Sequence, residues 1–279
     1  MGTWKRHVMR KRILSSASKR PVAAALVALA VAGVTLWGVT YAIDLTRWWL
    51  FTRALERTVA VQPAGTPVTV TWPVSYRRNL FRVSVEIYPS EIAAARSLDT
   101  AWVFGSGDRV RSRYVRSLIH AQADSRLVGR IAEELREIRD RHHLSDDEYL
   151  GLMAAAAQGI PYGAIGDRIA PPAEMLARGD GVCTEKTVLL GALMLREGWE
   201  TAVFVLGDRT HVALGVGSEH VRFRTLPYAF VETTRAAAIG EVDRAYLAWG
   251  PVGDPPSVIA VGGHRRYAGP PPDAQARRR

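Results

Sequence analysis

Three residues of this chain have types and spacing suited to covalent chemistry: Cys183, His211 and Glu232. Cys183 is the only cysteine among 279 residues. It follows the glycine-punctuated turn Gly179-Asp180-Gly181 and opens a run in which Val188, Leu189, Ala192, Leu193 and Leu195 recur at three- and four-residue spacing, with Gly198 where a C-terminal cap belongs. A thiol in the first turn of a buried helix meets unpaired backbone N–H groups and the positive end of the helix dipole, and both favour the thiolate. His211 lies 28 residues further on and opens an apolar strand, His211–Val216, that follows the strand Thr201–Leu206 and a Gly207-Asp208 turn. Glu232 comes after a further 21 residues, on the strand Tyr228–Thr233. A cysteine nucleophile needs these three parts. The imidazole takes the thiol proton and returns it to the leaving group, and the carboxylate fixes the ring tautomer and steadies the imidazolium. Read one at a time, each residue also has a plain structural account: a small core thiol, a strand-end histidine and a solvated or capping carboxylate. His120, His142, His143, His220 and His264 fall in helical or loop contexts, so His211 alone opens a strand beside the cysteine helix.

Composition narrows the classes. The formal net charge of +10 resembles a nucleic-acid signal until it is located. Residues 1–20 carry seven Lys/Arg and no acid, residues 265–279 carry five Arg against one Asp, and the body between them is near neutral. No nucleic-acid face is therefore expected on the folded part. One cysteine forms no internal disulfide. With no second thiol, and no histidine pair at ligand spacing beyond the adjacent His142-His143, neither a metal nor another cofactor is expected.

Along the chain, residues 1–20 form a basic segment, followed by 23 residues without charge, 21–43, PVAAALVALAVAGVTLWGVTYAI. That run is long enough to span the ~30 Å hydrocarbon layer as a helix. A signal peptide is the competing reading, with Thr40-Tyr41-Ala42 as a passable cleavage site. The run is longer than the usual ~7–15-residue signal core, which favours a retained anchor. Trp48, Trp49 and Phe51 with Arg47 and Arg53 then read as an interfacial belt. Seven basic residues precede the span and three follow it closely, which puts the N-terminus in the cytoplasm and the body outside. Residues 44–65 read as a juxtamembrane linker. The stretch 66–120 reads as a small β-rich accessory region, with strands Thr66–Val74 and Leu80–Tyr88, a turn at Tyr76–Asn79 and a short helix from Pro89. Ser125 caps an amphipathic helix, and Ser145-Asp146-Asp147-Glu148 is a capping box opening another that ends at Gln158-Gly159-Ile160-Pro161-Tyr162. A short helix, Glu174–Arg178, delivers the chain to the cysteine turn. Residues 262–279, with Pro270-Pro271-Pro272 and a final triple arginine, read as a disordered tail.

The motifs Gly181-Val182-Cys183-Thr184-Glu185-Lys186, His211-Val212-Ala213-Leu214-Gly215-Val216 and Glu232-Thr233-Thr234 resemble the transglutaminase-like core, a branch of the papain-like cysteine enzymes, in its prokaryotic membrane-anchored form. The resemblance covers residues 125–243 well and 66–124 more loosely. Val182 and Thr184 stand where close relatives often carry acids, so charge recognition beside the thiol differs. The resemblance implies an α+β fold, a domain over 121–250 with the nucleophile helix packed on an antiparallel sheet, preceded by the β-rich unit and one transmembrane helix. It also implies a Cys183–His211–Glu232 triad acting on a protein or peptide amide, with the acyl group passed to water or to an amine. Gln158 matches the family's glutamine ahead of the nucleophile, a candidate oxyanion donor beside the Cys183 N–H, and Tyr162 is expected to line the cleft. Thr233 or Thr234 is expected to hydrogen-bond Glu232, and Glu185 with Lys186 to form a structural ion pair. The rival reading is a catalytically silent module that binds a peptide or envelope partner in the same cleft.

Overall fold

The computed structural model describes residues 19–98, 100–101, 108–206, 211–243 and 256–269. The chain divides into two units, Met1–Phe51 and Thr52–Arg279. The described residues of the first belong to one helix, α1 (Lys19–Ala60), which continues past Phe51 and whose 42 residues extend about 63 Å at 1.5 Å per residue. Leu26, Leu29, Val31, Val34 and Trp37 on it are all more than half exposed. Thr35 and Thr46 donate their hydroxyls to carbonyls four residues back, so these polar groups are satisfied within the helix. It is long and apolar enough to cross a membrane, and its place near the N-terminus is also that of a signal sequence. The linker expected over 44–65 is helical as far as Ala60. No Gly or Pro interrupts residues 44–60, and Pro63 is the first that does. The basic residues 1–18 lie outside the described residues.

The second unit is α+β, and its antiparallel hairpin comes first. β1 (Val68–Tyr76) and β2 (Asn79–Ile87) pair from Val68 with Ile87 to Tyr76 with Asn79. Arg77 and Arg78 both take left-handed dihedrals (φ 49° and 67°), which match a two-residue connection to the twist of its strands. Val83, Val85 and Ile87 are buried, while Arg82, Ser84 and Glu86 between them face outward. Five further helices follow α2 (Pro89–Arg96): α3 (Asp108–Ala123), α4 (Arg126–Arg141), α5 (Asp146–Gly159), α6 (Pro172–Arg178) and α7 (Cys183–Arg196). The Ser125 hydroxyl accepts from Val128 N at the start of α4, and Ser145 with Glu148 closes the capping box of α5.

A four-stranded antiparallel sheet has the order β5-β4-β3-β6, with β3 (Thr201–Leu206), β4 (His211–Gly217), β5 (Tyr228–Val231) and β6 (Ser257–Gly262). The Gly207-Asp208 turn falls outside the described residues. α7 packs on β4 and β3 and against α3 and α5. Leu189, Leu190 and Leu193 of α7, Leu118 and Ile119 of α3, and Leu214 and Val216 of β4 are among its fully buried residues. Phe204, Phe223 and Phe230 form a second buried cluster, with ring centroids 5.1–6.3 Å apart.

Two expectations change here. The stretch 66–120 is not set apart: it lies in the same compact unit as the cysteine helix, and α3 packs along α7. The tail is ordered through residue 269. β6 pairs with β3, Arg265 bridges to Trp199 and Tyr267 to Ser218, and the Arg265 guanidinium lies 4.7 Å from the Trp199 ring centroid. Backbone pairing and cation–π stacking supply contacts that a composition rich in Gly and Arg does not announce. Residues 270–279 lie outside the described residues.

Candidate active site

The approach to the thiol is fixed by backbone geometry. Gly179 caps α6 in the left-handed conformation (φ 86°), and Arg178 pairs with Asp180 beyond it. Gly181 N donates to Pro161 O (3.0 Å) and Gly163 N to Gly181 O (3.3 Å), a parallel bridge that lays Tyr162 alongside Gly181. Cys183 is then the first residue of α7 and is 8% exposed. Val182, at the N-cap, has no side chain able to accept a hydrogen bond. Glu185 does the capping instead: its Oε2 accepts from Val182 N (3.0 Å) and Arg178 (2.6 Å), and its Oε1 from Ala170 N (3.1 Å). Its carboxylate is buried, so one side chain ties three segments to the start of the nucleophile helix.

His211, the first residue of β4, is buried, and its Nε2 lies 3.7 Å from Glu232 Oε1. It also interacts with the Cys183 thiol, and each group moves the other toward its charged form. Glu232 is 1% exposed and follows directly on β5. Its Oε1 accepts from Thr233 N (2.9 Å), Thr234 N (2.9 Å) and Thr234 Oγ1 (2.7 Å). Thiol, imidazole and carboxylate therefore meet in one place.

The electrostatics set the protonation states. Burial works against charge on each of the three, and their neighbours overcome it. Cys183 is lowered despite burial by His211 and by the Val212 and Thr184 N–H groups. His211 is raised to about 9, with the thiol and Glu232 outweighing burial. Glu232 is lowered to about 2, with His211 and Thr234 doing the same. All three shifts favour the charged forms: thiolate, imidazolium and carboxylate.

These shifts give stability a pH profile. Glu232 titrates at about 2 rather than 4.5, so its contribution is full above pH 4.5 and is lost as pH falls through 2. His211 titrates at about 9 rather than 6.5, so its contribution is full below pH 6.5 and is lost as pH rises through 9. Lys186 runs the other way: at about 8 rather than 10.5, it restores stability between those values. Cys183, lowered from its ordinary thiol value, also runs the other way and offsets the His211 loss up to pH 9. The denaturation midpoint of the protein is expected to fall as pH drops from 4.5 through 2, and that acid fall should shrink in Glu232→Gln.

The remaining expected residues divide. Tyr162 is at the site: its hydroxyl reaches both the Cys183 thiol and the Cys183 N–H, and the residue is 53% exposed. Gln158 is not an oxyanion donor in this arrangement. Its Nε2 donates to Glu232 O (2.9 Å) and Ala237 O (3.1 Å), and its Oε1 accepts from Ala237 N (3.4 Å), so its amide holds the segment that carries Glu232. Glu185 and Lys186 do not pair with each other. Adjacent residues on a helix point about 100° apart, and both are buried, Glu185 toward Arg178 and Lys186 toward Gln158 O. Thr234 does bind the carboxylate, as expected. The sequence reading missed the cap that Glu185 makes, although an acid three residues into a helix is its usual signal. No family model, curated protein or solved structure matches the chain.

Proposed function

We propose that this chain is a membrane-anchored cysteine enzyme of the transglutaminase-like kind, held by α1 with its N-terminus in the cytoplasm and its folded part outside. The observation that carries the reading is the meeting of Cys183, His211 and Glu232, each buried and each shifted toward its working charge. In the proposed reaction the Cys183 sulfur attacks the carbonyl carbon of a protein or peptide amide. The Cys183 N–H and the Tyr162 hydroxyl face the developing oxyanion. His211 passes its proton to the leaving nitrogen as the C–N bond breaks, and Glu232 keeps the ring oriented. Water or an amine, deprotonated by His211, then takes the acyl group from sulfur.

The pH dependence of Cys183 alkylation in the full-length protein in detergent tests this directly. A small haloacetamide read by intact mass reports one site, because the chain has one cysteine. An ordinary thiol titrates near ~8.5, and a histidine-paired nucleophile at ~3.5–7.5. Rapid alkylation at pH 6, at least about tenfold faster than in the unfolded chain and lost in His211→Ala, is expected. A thiol inert until unfolding would reject the enzyme and leave the binding module.

A further inference from the structure

Lys186 has no part in that chemistry, yet it is buried beside it. It is 0% exposed and lies one turn from Cys183 on α7, so the two share a helix face. Its ammonium donates to Gln158 O at 3.5 Å and interacts with the Glu232 carboxylate. On Glu232, all three donors converge on Oε1, the oxygen that faces His211. Oε2 is buried and accepts no hydrogen bond. A buried carboxylate oxygen without a donor and a buried ammonium with one long bond are each unfavourable alone, and here both residues lie against Gln158. Gln158 joins them: its carbonyl receives Lys186 and its amide holds the Glu232 backbone.

During turnover the imidazolium opposite Glu232 gives up its proton, and the buried carboxylate then loses the charge nearest to it. We propose that Lys186 is a positioning residue: its buried ammonium, held on Gln158, is the second counter-charge to Glu232, keeping the carboxylate ionised, with Oε1 turned to His211, while the ring is neutral. This rests on the catalytic reading above. Burial lowers Lys186 to about 8 and Glu232 pulls it upward, so the ammonium persists at neutral pH. Other charged groups around α7 are engaged elsewhere. Glu185 holds Arg178, and His211 of β4 faces Cys183 and Glu232. On α3, His120 and Arg116 bond Val261 O and Ala260 O; on α6, Glu174 pairs with Arg168; on α4, Arg136 pairs with Glu197. α5 presents the Gln158 carbonyl.

The test is a cycle of four full-length proteins in detergent: wild type, Lys186→Met, Glu232→Gln and the double variant, each read by Cys183 alkylation from pH 5 to 9 and by thermal unfolding. Methionine keeps the length of the stem without the charge. Lys186→Met is expected to move the onset of alkylation upward by about one pH unit, roughly tenfold in rate at pH 6. In the Glu232→Gln background, where alkylation at pH 6 is already slow, unfolding is the readout: the same change should there raise the unfolding temperature, since it removes an ammonium left buried without its carboxylate. Equal effects in both backgrounds, or an unmoved onset, would overturn the proposal. Should Lys186→Met not fold, the 15N resonance of Lys186 Nζ gives a second measure: its titration midpoint must fall in Glu232→Gln, and an unmoved midpoint refutes the coupling. A wild-type thiol inert at pH 6 would sink the catalytic reading, while the unfolding cycle and the Nζ titration would still report whether Lys186 serves Glu232.

Discussion

Replacing Glu232 by alanine is expected to cost about 3–5 kcal/mol of stability and, on any amide substrate, about 10⁴-fold in turnover. The stability loss comes from what remains behind. His211 stays buried without its carboxylate, and the Thr233 and Thr234 N–H groups with the Thr234 hydroxyl lose their common acceptor. The reactivity loss has a separate cause, which Glu232→Gln isolates. A glutamine oxygen can still accept from the two threonine N–H groups, so stability should fall by only about 1 kcal/mol. That same oxygen stays opposite His211, however, and without its charge it no longer steadies the imidazolium, so the ring falls back toward the ordinary histidine range. Such a ring is a weaker base for the thiol proton. Alkylation at pH 6 should therefore be slow in the Gln variant as in the Ala variant. Urea denaturation and alkylation kinetics on the two proteins read the two effects separately. A Gln variant with the wild-type pH profile would mean that the Glu232 charge does not steady the imidazolium.

The second large effect is expected at Glu185, away from the reacting atoms. Glu185→Ala removes the acceptor for Val182 N, Ala170 N and Arg178 together. Two buried N–H groups are left unpaired at about 1–3 kcal/mol each, while Arg178, 40% exposed, recovers water. A net loss of about 3 kcal/mol is expected in chemical denaturation. Because the freed Val182 N–H lies directly before the nucleophile, the first turn of α7 loosens as well, and the alkylation onset should move toward that of an ordinary thiol. Glu185→Gln keeps only one of the two backbone bonds, because Val182 N and Ala170 N use different oxygens and an NH₂ cannot accept, so it should recover about half of the stability. A Glu185→Ala protein as stable as wild type would show that water replaces the carboxylate at no cost.

Much of this was legible in the sequence because it is local. A lone cysteine after Gly179-Asp180-Gly181, an apolar period of 3.6 beyond it, and strands opening at His211 and closing before Glu232 are all carried by short windows. The strand Thr201–Leu206 and the caps at Ser125 and Ser145 were legible for the same reason. What escaped depends on distant partners. β6 is six residues whose strand character is realised by pairing with β3, more than fifty positions earlier. α3 carries four arginines that mask the stripe of Tyr114, Leu118 and Ile119. Gln158 looked like a free amide at a helix end, and only the return of residues 232–237 gives it partners. Lys186, a residue type almost never buried unless paired, is covered where its ammonium meets the Gln158 carbonyl 28 positions earlier.

The place of β6 in the sheet bears on the order in which the molecule can be completed. A chain made from its N-terminus has produced thiol, imidazole and carboxylate by residue 232, yet the strand that covers the outer edge of β3 begins only at residue 257. Until that segment arrives, β3 presents a row of unpaired backbone groups, and Trp199 and Gly217 lack the partners that residues 264–267 bring. The nascent protein thus holds all its reactive groups before it holds a closed sheet, and sealing the edge is among the last acts of its folding.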